Sequence, residues 1–221
     1  MKAMILAAGR GERLLPLTAT LPKPLLEVGG ETLVERHLRR LVAAGVSDIV
    51  LNLSHLGEQI EARLGDGARY GARVVYSHEP GAPLETAGGI LAALPLLGDA
   101  PFVVVNADIW TDFDFTTLPA APMLAHLVLV PNPPHHPHGD FGLRGTTVTR
   151  GADTPYTYAG IGVYCPALFA DLAPGRRPLA PLLFAAVAAG ALSGGVHDGR
   201  WYDIGTAERL AAARRAVGGS A

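Results

Sequence analysis

The segment from Leu6 to Thr18, LAAGRGERLLPLT, sets Gly9 and Gly11 beside Arg10 and Arg13. Glycines let a loop turn its backbone N–H groups toward an anion, and an arginine fork binds two phosphate oxygens at once. Phosphate is the ligand such a loop suits. The spacing is not a Walker motif, because no Gly-Lys-Ser/Thr follows, and not a dinucleotide fingerprint, because Leu14 stands where the third glycine would be. By itself the loop also reads as a plain turn, and Arg13 as a solvated arginine. Lys23, one of two lysines in the chain, lies between Pro22 and Pro24. Prolines on both sides predict an extended segment with a single positive tip.

Two acids complete a candidate site. Asp108 follows the apolar run Phe102 to Asn106, so its carboxylate is expected at the carboxyl edge of a parallel sheet. Mg²⁺ takes one or two protein carboxylates and fills its octahedron with waters and phosphate oxygens, so a second, distant acid is expected; Asp203, in RWYDIGT, is the candidate. Asp112 and Asp114 rank below Asp108, since they fall in the following loop and are expected to face solvent. His135, His136 and His138 sit among prolines that predict an irregular loop without a closed ligand set.

These residues need a scaffold. Strands are expected at Lys2 to Ala8, Ile49 to Leu53, Arg73 to Ser77 and Phe102 to Asn106. Helices are expected at Thr32 to Ala44, with Gly45 as a left-handed stop, at His55 to Leu64 and around Gly89 to Leu94. The loop with Pro16, Pro22 and Pro24 is expected to hold no helix. Beyond Asp114 come candidate strands Leu124 to Val130, Phe141 to Thr149 and Thr157 to Tyr164, then helices Leu179 to Ala189 and Ala207 to Ala216. Alternating strand and helix predict an α/β fold, a Rossmann-like three-layer sandwich whose mixed sheet is mostly parallel. One domain is expected over 1–221, with a half of nucleotide-binding layout at about 1–114 and a half at about 115–221 that extends the sheet and walls a pocket.

Composition narrows the partners. Eighteen Lys and Arg against twenty Asp and Glu give a net charge of −2, and the bases are dispersed, which excludes a nucleic-acid surface. The chain is 49% hydrophobic and 17% charged, the balance of a globule able to fold on its own. No apolar run reaches the roughly 18 residues needed to span a bilayer, and the first residues read as a strand rather than a signal peptide. The lone cysteine, Cys165, is expected to be buried and structural, which suits the cytoplasm.

LAAGRGERLLPLT, PKPLLEV, LETAGGI, NADIWTD, YAGIGVY and WYDIGT together resemble the sugar-phosphate nucleotidyltransferase family, in order and along nearly the whole chain. The segments NLSHLGEQI, EPGAPLETAGGI and PPHHPHGDFGLR narrow the resemblance to its compact uridylyltransferases, which implies UTP and a sugar 1-phosphate as substrates. The resemblance implies that Ala7, Ala8 and Gly9 line the nucleotide, that Gly11 and Arg13 hold phosphates, and that Lys23 contacts the α-phosphate. Arg13 and Lys23 become the catalytic cations, and Asp108 and Asp203 the Mg²⁺ ligands. Glu79, Pro83 and Gly88 would surround the base, while Glu85, Asn106, Asp140, Gly142 and Gly160 would face the sugar. Many relatives carry a second lysine in the sugar pocket; this chain has none, and Arg144 is the candidate replacement. The longer relatives add a β-helix acyltransferase domain, which is not expected here because no hexapeptide repeat occurs.

The implied reaction joins two anionic substrates, so charge neutralisation is its main demand. A monomer or small homo-oligomer is expected, with no nucleic-acid or membrane partner. A sugar-nucleotide sensor would keep the pocket yet lose Lys23 or the two acids, and all three are present. A glycosyltransferase would place an Asp-x-Asp pair at the strand end; the chain has Asn106-Ala-Asp108 there, and Asp112-Phe-Asp114 comes too late.

Overall fold

The structure, a computed structural model, describes residues 1–81, 83–151 and 154–218. Its first half is built as the apolar pattern demands. Strand β1 (Ala3–Leu6) leads through the glycine loop to a short hairpin, β2 (Glu27–Val28) and β3 (Glu31–Thr32). Helix α1 (Leu33–Ala43) begins where the Thr32 hydroxyl accepts a hydrogen bond from Glu35 N and ends at Gly45, whose φ is 81°. Strand β4 (Asp48–Leu53) follows. Helix α2 (Gly57–Leu64) starts two residues later than the periodicity predicts, because Leu56 is left-handed. Then come β5 (Arg73–His78), α3 (Glu85–Leu97), β6 (Phe102–Asn106) and β7 (Ile109–Thr111).

The second half contains β8 (Ala125–Pro131), β9 (Gly142–Arg144), β10 (Thr147–Thr149) and β11 (Tyr156–Tyr164). It closes with α4 (Ala180–Ala188), β12 (Leu192–Val196), β13 (Trp201–Asp203) and α5 (Ala207–Gly218). The single strand expected at Phe141 to Thr149 is instead a hairpin. Gly145, at φ 59°, opens the two-residue turn that pairs Arg144 with Thr147.

Nine strands form one sheet in the order β5-β4-β1-β6-β11-β8-β12-β10-β9. The run β5-β4-β1-β6 is parallel, β11 lies antiparallel to β6 and β8, and β12 is parallel to β8. One apolar cluster packs α1 and α2 on one face through Val34, Leu38, Leu41 and Ile60; a second packs α3 and α4 on the other through Ile90, Ala93, Leu183 and Ala186. Helices on both faces make the three layers. Among the described residues no helix is long and apolar enough to cross a membrane. Cys165 is only half-buried, its thiol donating to Pro122 O at 3.3 Å, because it falls just past β11.

Candidate active site

β1 lies between β4 and β6, so the chain leaves it toward one side while β6 runs on to the other. Loops diverging from two adjacent parallel strands open a crevice at their carboxyl ends. Leu6 and Asn106 are register partners there, and two cavities of about 200 and about 360 Å³ meet, sharing Asn106 and Asp108.

The glycine loop forms one rim. Gly11 sits at φ 66°, and a Cβ on it would stand 2.9 Å from Thr18 Cγ2, whose hydroxyl donates to Gly11 O at 2.8 Å. Gly9 has nothing within 4 Å of such a Cβ and borders the smaller cavity, so its missing side chain leaves that space open. The loop is not free of helix: three 3-10 turns occupy Glu12–Leu14, Leu17–Ala19 and Lys23–Leu25. Lys23 therefore begins a turn rather than tipping an extended segment, its carbonyl accepting from Leu26 N. It is buried, and its Nζ lies 2.5 Å from Asp108 Oδ2.

A polar relay fixes the smaller cavity. Ala7 N donates to Asn52 Oδ1 at 2.9 Å, Asn52 Nδ2 to Glu79 Oε1 at 2.6 Å, and Leu84 N to Glu79 Oε2 at 2.8 Å. Asn52 and Glu79 are both buried, and a Cβ on Gly89 would collide with the pair, at 2.6 Å from Glu79 Oε1. Ala7, Ala8, Gly9, Lys23, Glu79, Pro83, Glu85 and Asp108 all border this cavity. Gly88 does not; a Cβ there would meet Gly175 O at 2.3 Å, so its bareness serves the packing of α3 against the 175–177 backbone. Asn52 escaped the sequence reading, although a lone amide inside the apolar strand Asp48–Leu53 was the signal for it.

The larger cavity brings the two acids together. β7 and β13 pair antiparallel with Asp203 opposite Ile109, and Ile204 N donates to Asp108 O at 2.9 Å. Asp108 and Asp203 thus border one space, joined by Arg13, Arg209 and His135. Asp203 Oδ2 accepts from Arg209 Nη1 at 2.7 Å, and His135 Nε2 lies 3.6 Å from the same oxygen. Burial, then the nearby Arg209 charge, lowers the His135 pKa, so its ring is neutral near pH 7. Each carboxylate commits Oδ2 to a cationic side chain. Two hard oxygen donors facing one cavity fit a small divalent cation whose other ligands come from substrate and water. The histidines thus do more than shape a loop: His135 and His136 both border this cavity. Asp112 does not simply face solvent either, since it accepts from Arg200 N at 2.8 Å and His197 Nε2 lies 3.1 Å from it.

On the sugar side the residues separate. Gly160 has φ 76° in a bulge of β11, where a Cβ would press within 2.8 Å of Asn106 Nδ2. Both border the larger cavity. Asp140 is turned elsewhere, accepting from Tyr158 N at 2.8 Å and lying 3.0 Å from His136 Nε2; it anchors the loop that carries His135. Gly142 pairs with Thr149 at the edge of the sheet, and neither it nor Arg144, exposed on the outermost strand, borders the two central cavities. Glu85, left-handed at φ 60°, binds Arg176 Nε at 2.7 Å across the mouth of the cleft.

The chain belongs to the nucleotidyl transferase family, whose model matches residues 2–145, the stretch that supplies the glycine loop, Lys23 and Asp108. It is 50% identical over 228 residues to the N-acetylmuramate alpha-1-phosphate uridylyltransferase of Neisseria meningitidis serogroup B, covering 99% of each chain. It is 36% identical over 231 residues, 96% of each chain, to the protein of that name from Caulobacter vibrioides. A crystal structure of a Bacillus anthracis protein assigned as a glucose-1-phosphate thymidylyltransferase, in complex with sucrose, superposes with a TM-score of 0.87 at 22% identity. That match covers 98% of this chain and 95% of the other, and establishes the fold.

Proposed function

We propose that this cleft transfers the uridylyl group of UTP to N-acetylmuramate 1-phosphate, giving a UDP-sugar and pyrophosphate. The observation that carries the reading is the half-identical relative of that activity, aligned over 99% of both chains. The two cavities that meet at Asn106 and Asp108 suit it, since a bisubstrate reaction needs two sites with a common wall. The reaction would belong to the reuse of cell-wall sugars in the cytoplasm, where nucleoside triphosphates are kept, and both halves of the chain, 1–114 and 115–221, would act as one catalytic unit.

A phosphate oxygen of the sugar phosphate attacks the α-phosphorus of UTP, the α–β bridging bond breaks, and its electron pair leaves with pyrophosphate. The attacking oxygen is already anionic near neutral pH, so no general base is needed. Backbone at Ala7 to Gly9 and the Asn52–Glu79 relay would seat the nucleoside in the smaller cavity. Gly11, Arg13 and Lys23 would hold the triphosphate. Arg13 reaches both the mouth and the larger cavity, so it would also draw in the sugar phosphate, with Arg209 and His135 as its neighbours there. Asp108 and Asp203 would hold Mg²⁺, which when bound would neutralise triphosphate charge.

The test is pyrophosphate release with UTP, dTTP and GTP, each offered N-acetylmuramate, glucose and mannose 1-phosphates, with and without Mg²⁺. The expected result is the largest kcat/KM for UTP with N-acetylmuramate 1-phosphate and loss of activity on chelation. A larger value for another pair overturns the substrate assignment, and release with no pair overturns the enzyme reading.

A further inference from the structure

The acids of the cleft stand on a ribbon of two short strands, and that ribbon is gripped from behind by α1. β7 devotes one edge to β13: Asp108 O accepts from Ile204 N, and Asp112 N donates to Arg200 O at 3.1 Å. On the other edge, side chains of α1 take the place of a third strand. His37 Nε2 donates to Ile109 O at 2.8 Å, and Arg36 reaches Thr111 O through Nε at 3.2 Å and Nη2 at 2.9 Å. Arg40 Nη2 adds Asp112 O at 2.9 Å and Phe113 O at 2.7 Å. Every one of these bonds lands on the five residues that follow Asp108.

The centre of the grip is buried. His37 has no exposure, Ile109 and Thr111 are closed to solvent, and the Arg36 guanidinium also lies over the Trp110 ring, 4.1 Å from its centroid. α1 itself is locked into the core by Val34, Leu38 and Leu41. His37 Nδ1 has no hydrogen-bond partner among the described residues. An imidazole held with one nitrogen unsatisfied is a poor choice for packing alone, because an apolar side chain would fill the space without desolvating a polar atom. What the ring supplies is its single directed N–H.

We propose that His37, supported by Arg36 and Arg40, is a positioning residue for the cation site: it fixes the backbone of β7, and through the β7–β13 pairing it brings the carboxylates of Asp108 and Asp203 to one cavity. The inference rests on the metal role assigned to those two acids above. Ligands act through the groups that orient them, and loss of an orienting contact typically weakens metal binding by one to two powers of ten.

The test measures Mn²⁺ binding to the full chain by electron paramagnetic resonance, first alone and then with UTP but no sugar 1-phosphate, alongside the Mg²⁺ concentration for half-maximal activity. His37→Met removes the donor at similar bulk, His37→Gln keeps an N–H of similar reach, and Arg40→Met loosens the grip without touching the core. Leu64→Ala, a cavity variant at the end of α2, controls for lost stability, and Arg73→Gln, whose partner Asp48 lies at the sheet edge away from β7, controls for charge. His37→Met is expected to weaken Mn²⁺ binding about tenfold, Arg40→Met to weaken it in the same direction, and His37→Gln to restore most of it, with both controls near wild type. Unchanged Mn²⁺ binding in folded His37→Met and Arg40→Met proteins, or an equal loss in Leu64→Ala, overturns the inference. A wild-type protein that binds no Mn²⁺ overturns the metal assignment itself, and this inference with it.

Discussion

Lys23 Nζ and Asp108 Oδ2, 2.5 Å apart, neutralise one another at the meeting point of the two cavities. Removing one partner of such a pair leaves the other charge uncompensated. Asp108→Asn is expected to lower kcat by about 10²-fold or more while the fold survives, the usual effect of losing a preorganised electrostatic contact; steady-state pyrophosphate release and circular dichroism check this together. Near-normal turnover in the folded variant would remove Asp108 from the metal site. The two glycines of the loop are predicted to behave differently. Gly11→Ala, strained by its positive φ and by Thr18, is expected to cost about 1 to 2 kcal/mol in urea unfolding. Gly9→Ala meets no neighbour, so it should leave stability alone and raise KM for the nucleotide by filling the cavity it borders. Equal stability losses in the two variants would refute that distinction. Lys23 and Asp108 stood out because charge among prolines or at the end of an apolar run is rare, whereas Asp203 entered only as the second acid that a metal would need. His135 and Arg209 were not, since nothing local shows that a proline-rich loop and α5 converge on Asp203.

At the scale of elements, the long apolar segments were readable and the shortest strands were not. β4, β6 and β11 lie within a residue of the periodicity because each buries a long run, and so does β5, a half-buried edge strand marked by the apolar Val74 to Tyr76. β7 and β13 hold three residues apiece and exist only as partners of each other, so neither carries a local signal. The β11 bulge is similar, with Gly160 marking it only once Asn106 is seen beside it. Gly160→Ala must displace either the bulge or the amide. It is expected to cost about 1 to 3 kcal/mol and to raise KM for the sugar phosphate more than for the nucleotide, measured by chemical unfolding and by varying each substrate in turn. A change confined to the nucleotide KM would place Asn106 on the other substrate.

At the scale of the whole molecule, two buried groups contribute to the response to acid. Burial opposes ionisation of Glu35, yet hydrogen bonds from Arg63, Tyr70 and Thr32 overcome it and hold its pKa at about 2, tying α1 to α2 and to the turn at Ala68–Tyr70. Its contribution is full above the ordinary pKa of 4.5 and is lost as pH falls from there toward about 2. Burial lowers His37 to about 4, so the stability tied to its neutral ring is full above 6.5 and is lost between 6.5 and about 4. Unfolding free energy is therefore expected to fall in two stages on acidification. Glu35→Gln should be about 2 kcal/mol less stable than wild type at pH 7, with the gap closing below pH 4.5; a gap independent of pH would refute the ionic role. The sequence alone determined the α/β class and singled out the glycine loop, Lys23 and Asp108, because glycine spacing, prolines and apolar periodicity act over a few residues. Tertiary structure alone decided that Asp203 stands opposite Ile109, that Asp140 and Arg144 turn away from the central cavities, and that α1 holds the acids' ribbon. Those outcomes depend on pairing and packing between segments tens of residues apart, which no local pattern encodes.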